Sequence, residues 1–461
     1  MYKYSIVTAV YNVEPYLEHF FQSIVQQTLD FQQNIQLIMV DDGSTDNSAN
    51  LIRQWKQKFP SNILYIKKEN GGQASARNLG MKYVKTEWVT FIDPDDFVKK
   101  DYFAQVNTTI HDNVNNNLVM IGCHIVYYFE KFNLYLNKHP LNYKFKNGSS
   151  TYLIRNLKHQ IQLSASSAFF KTSLIKSKKL IFNTKIKPNF EDAHFVNTYL
   201  IENFHIGSVS FLIDAKYYYR RRNSKSSTID IAWGKKELYN DVLQFGCQDL
   251  FLQAHKKLGF TPLFVQWTIL YHLSWYYKNI LQHPHMIMFL SLKQQNTFYT
   301  LLEQLFSNID IGTIEAFNLS NIEEYIKRGW LNLYKHQTLS HQTIYIYRKN
   351  KKLYCIYYAE KKEDLNVLID HVLYPISVSL EHTYFFGNKP FIHKYSFTIP
   401  IKPRQQQLTI QHNKSNIFIQ TGKHKYPKTI PINKIYSQTI MNLKEKLYHF
   451  IRTTLLGNKN G

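Results

Sequence analysis

Short apolar runs alternate with amphipathic stretches along the first hundred residues. Residues 4–10 read as a strand, and 16–27 as a helix with Tyr16, Leu17, Phe20, Phe21, Ile24 and Val25 on its inner side. A second strand is predicted at 36–40, followed by the polar turn Asp41-Asp42-Gly43-Ser44-Thr45-Asp46, which caps a helix over 48–59. Residues 63–67 form a third strand, Gly71-Gly72 opens a helix over 74–84, and 88–92 is a fourth strand. This alternation predicts an α/β domain with a largely parallel sheet. Ligands of such sheets sit beyond the carboxyl ends of the strands. Asn12, Asp41, Asn70 and Asp93 fall just past such ends and are expected to converge on one crevice.

Beyond residue 100 the pattern changes twice. Residues 101–230 are mixed, with strands at 118–128, 168–171 and 211–219. Helical periodicity follows over 235–335, through Leu238, Val242, Phe245 and Leu250, then 263–281 and 298–306. From about 340 to 435 come short β-rich runs (343–347, 353–358, 395–399 and 416–420) separated by Lys, Asn, Gly and Pro, which predict a small antiparallel sandwich. Residues 441–456 read as a basic amphipathic helix, either lying on the inner membrane leaflet or connecting to a further domain after residue 461. The expected division is 1–232 catalytic, 233–338 helical, 339–436 β-rich and 437–461 helix or linker.

Composition narrows the class. An apolar fraction of 44% and a charged fraction of 19% over 461 residues are those of a globular chain with two or three cores. Cys123, Cys247 and Cys355 are too widely spaced for a metal knuckle and fit buried thiols in a reducing compartment. The chain opens directly into a strand without a secretory leader and contains no run of about 18 apolar residues, so a cytoplasmic protein, peripheral at most to the inner face of the membrane, is expected. The formal charge is +23, and residues 329–461, with 20 Lys+Arg against 6 Asp+Glu, carry +14 of it. Such a charge attracts phosphate polymers and anionic lipid alike. The aromatics follow core periodicity and lack a single-strand stacking pattern, which sets nucleic acid aside. The aromatic helical middle would also support self-association.

The candidate chemistry lies where strands end. Phe91-Ile92-Asp93-Pro94-Asp95-Asp96 places three carboxylates in a Pro-stiffened turn. Carboxylates with phosphate oxygens are the usual way to hold hydrated Mg²⁺ or Mn²⁺. Alone, the same turn reads as a helix cap. Gly71-Gly72 lets backbone approach a ligand closely, and Arg77, one turn into the next helix, has the geometry to meet a diphosphate. Asp41 can accept from a pyrimidine N–H while Tyr11, after Ala9 and Val10, stacks on the ring. Asp192 in Asn189-Phe190-Glu191-Asp192 is a candidate general base. Its bland alternative is the charged first turn of a helix.

Taken in order, these segments resemble family 2 glycosyltransferases with the GT-A fold, over roughly the first 230 residues. The resemblance implies a Rossmann-like nucleotide-sugar domain, a UDP-sugar donor and a divalent metal, Mn²⁺ or Mg²⁺. It implies that Asp41 reads the pyrimidine, that Asp93 lies near the ribose, that Asp95 ligates the metal and that Asp192 is the base of an inverting transfer. The donor-binding set is then Ala9, Tyr11, Asn12, Asp41, Asn70, Gly71, Gly72, Arg77 and Asp93. The basic run Arg220-Arg221-Arg222 with the Ser-rich loop after it would close on the diphosphate, through Arg220 and Arg222. The Gln-x-x-Arg-Trp motif and the membrane helices of processive synthases are missing. The closer likeness is to enzymes that decorate teichoic acids and capsules, with a polysaccharide or polyol-phosphate acceptor. The competing reading is a polyanion- or membrane-docking module with a vestigial transferase domain.

Overall fold

The computed structural model describes residues 2–113, 117–222, 231–336, 341–412, 416–422 and 424–437. The predicted helix at 441–456 and the Ser-rich loop after Arg222 lie outside the described residues. The chain divides into two compact units that interleave in sequence: residues 1–273 with 290–313, and 274–289 with 314–461. The helical region expected as one block, 233–338, is therefore shared between them.

The first unit is built on ten strands: β1 (Tyr4–Val10), β2 (Ile35–Asp41), β3 (Ile63–Lys67), β4 (Trp88–Thr90), β5 (Phe97–Val98), β6 (Leu118–Phe129), β7 (Leu134–Leu136), β8 (Ser150–Leu153), β9 (Ala168–Lys171) and β10 (Ser208–Arg221). The order is β3-β2-β1-β4-β9-β6-β10-β5, with β7 on β6 and β8 on β10. β3, β2, β1 and β4 run parallel, as the strand–helix alternation predicts. β9 then pairs antiparallel to both β4 and β6, and β10 runs parallel to β6. The order reverses at β1, with β2 on one side and β4 on the other. The crevice beyond the carboxyl ends there is the expected ligand position.

Helices α1 (Glu14–Val25), α2 (Phe31–Asn34), α3 (Ser48–Lys58), α4 (Gln73–Met81), α5 (Tyr102–Asp112), α6 (Thr172–Ser177) and α7 (Glu191–Glu202) pack around this sheet. α1 fully buries Leu17, Phe20, Phe21 and Ile24, each worth roughly 1.5–3 kcal/mol relative to exposure. α4 lies closer to the sheet than a side chain allows: a Cβ on Gly80 would sit 2.4 Å from Val7 Cγ1. That approach holds the first turn of α4, with Gln73 and Arg77, over the strand ends. The stretch 260–277 lies largely within the helix Leu263–Ile280. Among the described residues no helix is long and apolar enough to cross a membrane.

The second unit contains β11 (His341–Lys349), β12 (Lys352–Ala359), β13 (Leu365–Ile369), β14 (Val372–Tyr374), β15 (Ser379–Phe386), β16 (Lys389–Pro400), β17 (Gln407–His412), β18 (Asn416–Thr421), β19 (His424–Pro427) and β20 (Thr429–Pro431). They form a six-stranded and a four-stranded sheet. Inward residues of both, among them Ile344, Leu353, Val367, Phe397 and Ile410, make one core. The expected antiparallel arrangement holds except for β11 and β18, which pair in parallel. Sequence alternation predicts which face is buried but not strand direction.

Candidate active site

Two backbone struts shape the crevice floor. Asn12, in the left-handed region at φ 50°, ends β1, and its Oδ1 accepts from Thr45 N at 2.8 Å. This ties the first strand to the turn after the second. Asp42, nearly fully buried, accepts from Gly71 N at 3.0 Å and Gly72 N at 2.7 Å, and pairs with Lys68 at 2.6 Å. Gly72 sits at φ 87°, which only glycine adopts without strain. A Cβ on Gly71 would lie 2.8 Å from both Lys68 Nζ and Ser75 Oγ. Asn70 is exposed and Gly71 and Gly72 are half-buried with their N–H groups held by Asp42, while Tyr11 is exposed and Ala9 half-buried at the end of β1.

Asp41 departs from expectation. It is fully buried, with Oδ1 accepting from Ser44 N at 2.7 Å and Oδ2 from Tyr65 Oη at 2.8 Å. Its carboxylate braces the turn, and contact with a base would require it to be uncovered. The fully buried strand end that makes Asp41 predictable also encloses its side chain.

Around the acidic turn the carboxylates gather. Arg77 is 1% exposed, and its guanidinium donates to Asp93 Oδ1 at 2.7 Å and to Asp192 Oδ1, with Glu191 at 4.0 Å. One side chain thereby joins residues 115 positions apart in sequence. Burial by itself would loosen the Arg77 proton, but the Asp192, Asp93 and Glu191 charges outweigh it and hold the guanidinium charged. With carboxylates on both terminal nitrogens, Arg77 is the internal counter-ion of the acidic cluster. Gln73 Nε2 adds a second hydrogen bond to Asp93 at 2.9 Å. Asp192 Oδ2 accepts from Ala165 N at 2.9 Å. Phe190, at φ 84°, turns the chain into α7, and its buried ring packs 4.4 Å from the ring of His272. A bulky residue with positive φ is held there by its surroundings, and it sets the direction from which Glu191 and Asp192 enter.

Burial, opposed by Arg77 and reinforced by the Asp192 and Asp95 charges, pushes Asp93 up to about 6. Burial and then the Asp192 charge push Glu191 up to about 8. Asp96, fully enclosed, is raised by burial and by Asp95 and Asp93, and accepts from Tyr217 Oη at 2.7 Å and Arg220 N at 2.8 Å. Burial leads in each case, so these carboxyls hold their protons more tightly than free ones do.

Arg220 and Arg222 separate by role. Arg220 is 7% exposed and its guanidinium meets the Asp95 carbonyl at 2.7 Å, Glu130 at 2.8 Å and His19 at 2.9 Å. It ties the acidic turn to β10 and to Glu130. Arg222, half-buried over the Tyr16 ring, pairs with Asp95 Oδ2. Asp93 and Asp95 are both partly exposed hard-oxygen donors. Among the described residues no cluster of three or more His, Cys, Asp or Glu could hold a metal by itself. The two carboxylates fit a Mg²⁺ or Mn²⁺ ion that takes its remaining ligands from phosphate and water.

Gln73, Ala165 and Tyr217 were not expected at the site. Gln73 stood inside the Gly-Gly-Gln run that pointed to it. Ala165 contributes only a backbone N–H from a loop without any pattern, so no residue-type signal exists for it.

Residues 5–177 match the family described as Glycosyl transferase family 2. Minor teichoic acid biosynthesis protein GgaB of Bacillus subtilis (strain 168) is 33% identical over 362 residues, 76% of this chain and 38% of GgaB. Minor teichoic acid biosynthesis protein GgaA of the same organism is 30% identical over 273 residues, 59% of each chain. The chain thus spans less than two thirds of either relative. S. aureus TarS is similar in structure with a TM-score of 0.55 at 14% identity, over 92% of this chain and 82% of TarS. TarS 1-349 in complex with UDP-GlcNAc gives a TM-score of 0.54 at 16% identity, over 72% and 86% of the two chains. At those identities the likeness concerns the fold, and TarS shares its extension into the second unit. With its acidic turn, Gly-Gly turn and Glu-Asp pair gathered at one crevice, and with residues 5–177 matching the family, this chain carries a glycosyl transferase family 2 domain.

Proposed function

We propose that the chain transfers a hexose or N-acetylhexosamine from a UDP-sugar to a surface polysaccharide or teichoic-acid-like phosphate polymer, with inversion at the anomeric carbon. The observation that carries this reading is the Arg77 bridge, which sets the acidic turn and Asp192 against one guanidinium. A donor diphosphate at Asp93 and Asp95 would then present its sugar toward Asp192. The acceptor hydroxyl attacks C1 in line, the C1–O bond to the diphosphate breaks, and Asp192 takes the hydroxyl proton. Mn²⁺ or Mg²⁺ bound at Asp95 would neutralise charge on the leaving diphosphate. Tyr11 and Asn12 border the base, and Asn70, Gly71 and Gly72 offer backbone to the nucleotide, with Asp93 on the ribose side. Arg222, paired with Asp95, would be the arginine to turn to the diphosphate oxygens. The names of GgaA and GgaB and the UDP-GlcNAc complex of TarS support the acceptor class and the donor nucleotide.

A panel of UDP-sugars tested with Mn²⁺ and Mg²⁺ decides the matter. One donor should be hydrolysed and transferred, and Asp192→Asn should lower transfer by about 10²- to 10⁴-fold with UDP still bound. Turnover of none of them with either metal would favour the docking-module reading instead.

A further inference from the structure

Beside the base lies a cavity of about 80 Å³, lined among others by His139, Asn142, Lys144, Gln162, Ser164 and Tyr271. That is several times the space one water occupies. Lys144 Nζ donates to Ile161 O at 3.0 Å and Gln162 Oε1 at 2.6 Å, and lies 4.6 Å from the Phe211 ring centre. An ammonium has three protons, so one donor remains. Among the described residues no carboxylate acts on it: burial pushes Lys144 down to about 7, and the Cys123 thiol is the other group acting on it. A half-buried cation without a counter-ion among the described residues costs free energy until an anion supplies one. His139 is pushed down to about 3 by burial, then by Lys144, His124 and Arg221, so its ring is neutral. Its Nδ1 accepts from Leu141 N at 3.3 Å, which leaves the proton on Nε2 as a further donor. The cavity is thus rich in donors and has no anionic lining.

Its wall leads to the reacting centre. Gln162, Leu163 and Ser164 line it, and the next residue, Ala165, donates its N–H to Asp192 Oδ2 at 2.9 Å. We propose that this cavity binds a phosphodiester of the acceptor polymer, with Lys144 as its counter-ion, and so positions the neighbouring hydroxyl at Asp192. The assignment to an acceptor rests on the transferase reading; anion binding as such does not.

Calorimetric titration of the full chain with glycerophosphoglycerol, inorganic phosphate and glycerol, in wild type and Lys144→Met, is the test. The diester should bind saturably and glycerol should not. Lys144→Met should weaken the diester about tenfold or more, with UDP affinity unchanged. Diester binding no better than glycerol, or unaltered in Lys144→Met, overturns the proposal. Tighter binding of inorganic phosphate than of the diester overturns the acceptor assignment. Should Lys144→Met also lose UDP, protection of wild-type Lys144 from acylation by the diester, read by peptide mass spectrometry, decides, and absence of protection is a refutation. If a donor is transferred but the acceptor KM is the same in Lys144→Met, the cavity proposal fails alone. If the diester binds but no UDP-sugar reacts, the transferase reading fails alone.

Discussion

Arg77 enters the crevice as its spacing after Gly72 predicts, and meets three carboxylates there. Spacing says nothing of which charges wait there, and the three carboxylates come from the turn after β4 and from α7. Removing one member of a buried ionic cluster leaves the others uncompensated. Arg77→Met should therefore lower stability by about 3–5 kcal/mol, measured by urea unfolding without donor. A residue that served only the diphosphate would leave that midpoint unchanged. Lys144 offers a prediction of opposite origin. Its folded value, about 7, lies below the unfolded value near 10.4. Between the two the unfolded chain binds a proton that the folded chain does not, so its contribution to stability rises with pH. In the folded chain His139, down near 3, and Cys123, pushed up to about 12, do not titrate in that window, and the unfolded Cys123 thiol contributes alike to both proteins. From pH 7 to 9.5 the wild type should gain stability relative to Lys144→Met, at no more than about 1.4 kcal/mol per pH unit, the limit for one proton. A flat difference between the two midpoints would show that Lys144 is solvated.

At the scale of elements, the parallel half of the sheet was readable because each strand carries its own signal. β1, β3 and β4 are apolar runs bounded by polar turns, and Asn12, Asn70 and Asp93 stand just past their ends. β5, β7 and β8 have two to four residues each and exist only through pairing with β10 or β6. No local pattern can reveal a strand whose stability comes entirely from its neighbour. Helix α4 shows the same division. Its apolar positions are evident, but the closeness of its approach is set by Gly80 against Val7 and Val40. Gly80→Ala would force α4 outward, costing about 1–3 kcal/mol of stability and displacing Gln73 and Arg77 from Asp93. The expected readout is a lower thermal midpoint together with weaker UDP binding. Loss of one without the other would separate the helix's packing from its part in shaping the crevice.

For the whole molecule, charge was legible from composition and the division into units was not. The +14 carried by residues 329–461 is a property of the chain alone. The assignment of 290–313 to the first unit and 274–289 to the second depends on contacts between distant residues that periodicity does not encode. A charge of that size acts over about 10 Å at 0.1 M salt and progressively less above it. A long polyol-phosphate chain can be attracted by this field well beyond the crevice, whereas a single-repeat acceptor reaches only the residues around Asp192 and Lys144. Raising salt from about 50 to 500 mM should therefore raise the KM for the polymeric acceptor on the order of tenfold and change that for the single repeat far less. Donor hydrolysis without acceptor serves as the internal control, since no polyanionic acceptor takes part in it. Equal salt sensitivity of both acceptors would assign the effect to the crevice itself and leave the basic second unit without a part in acceptor capture.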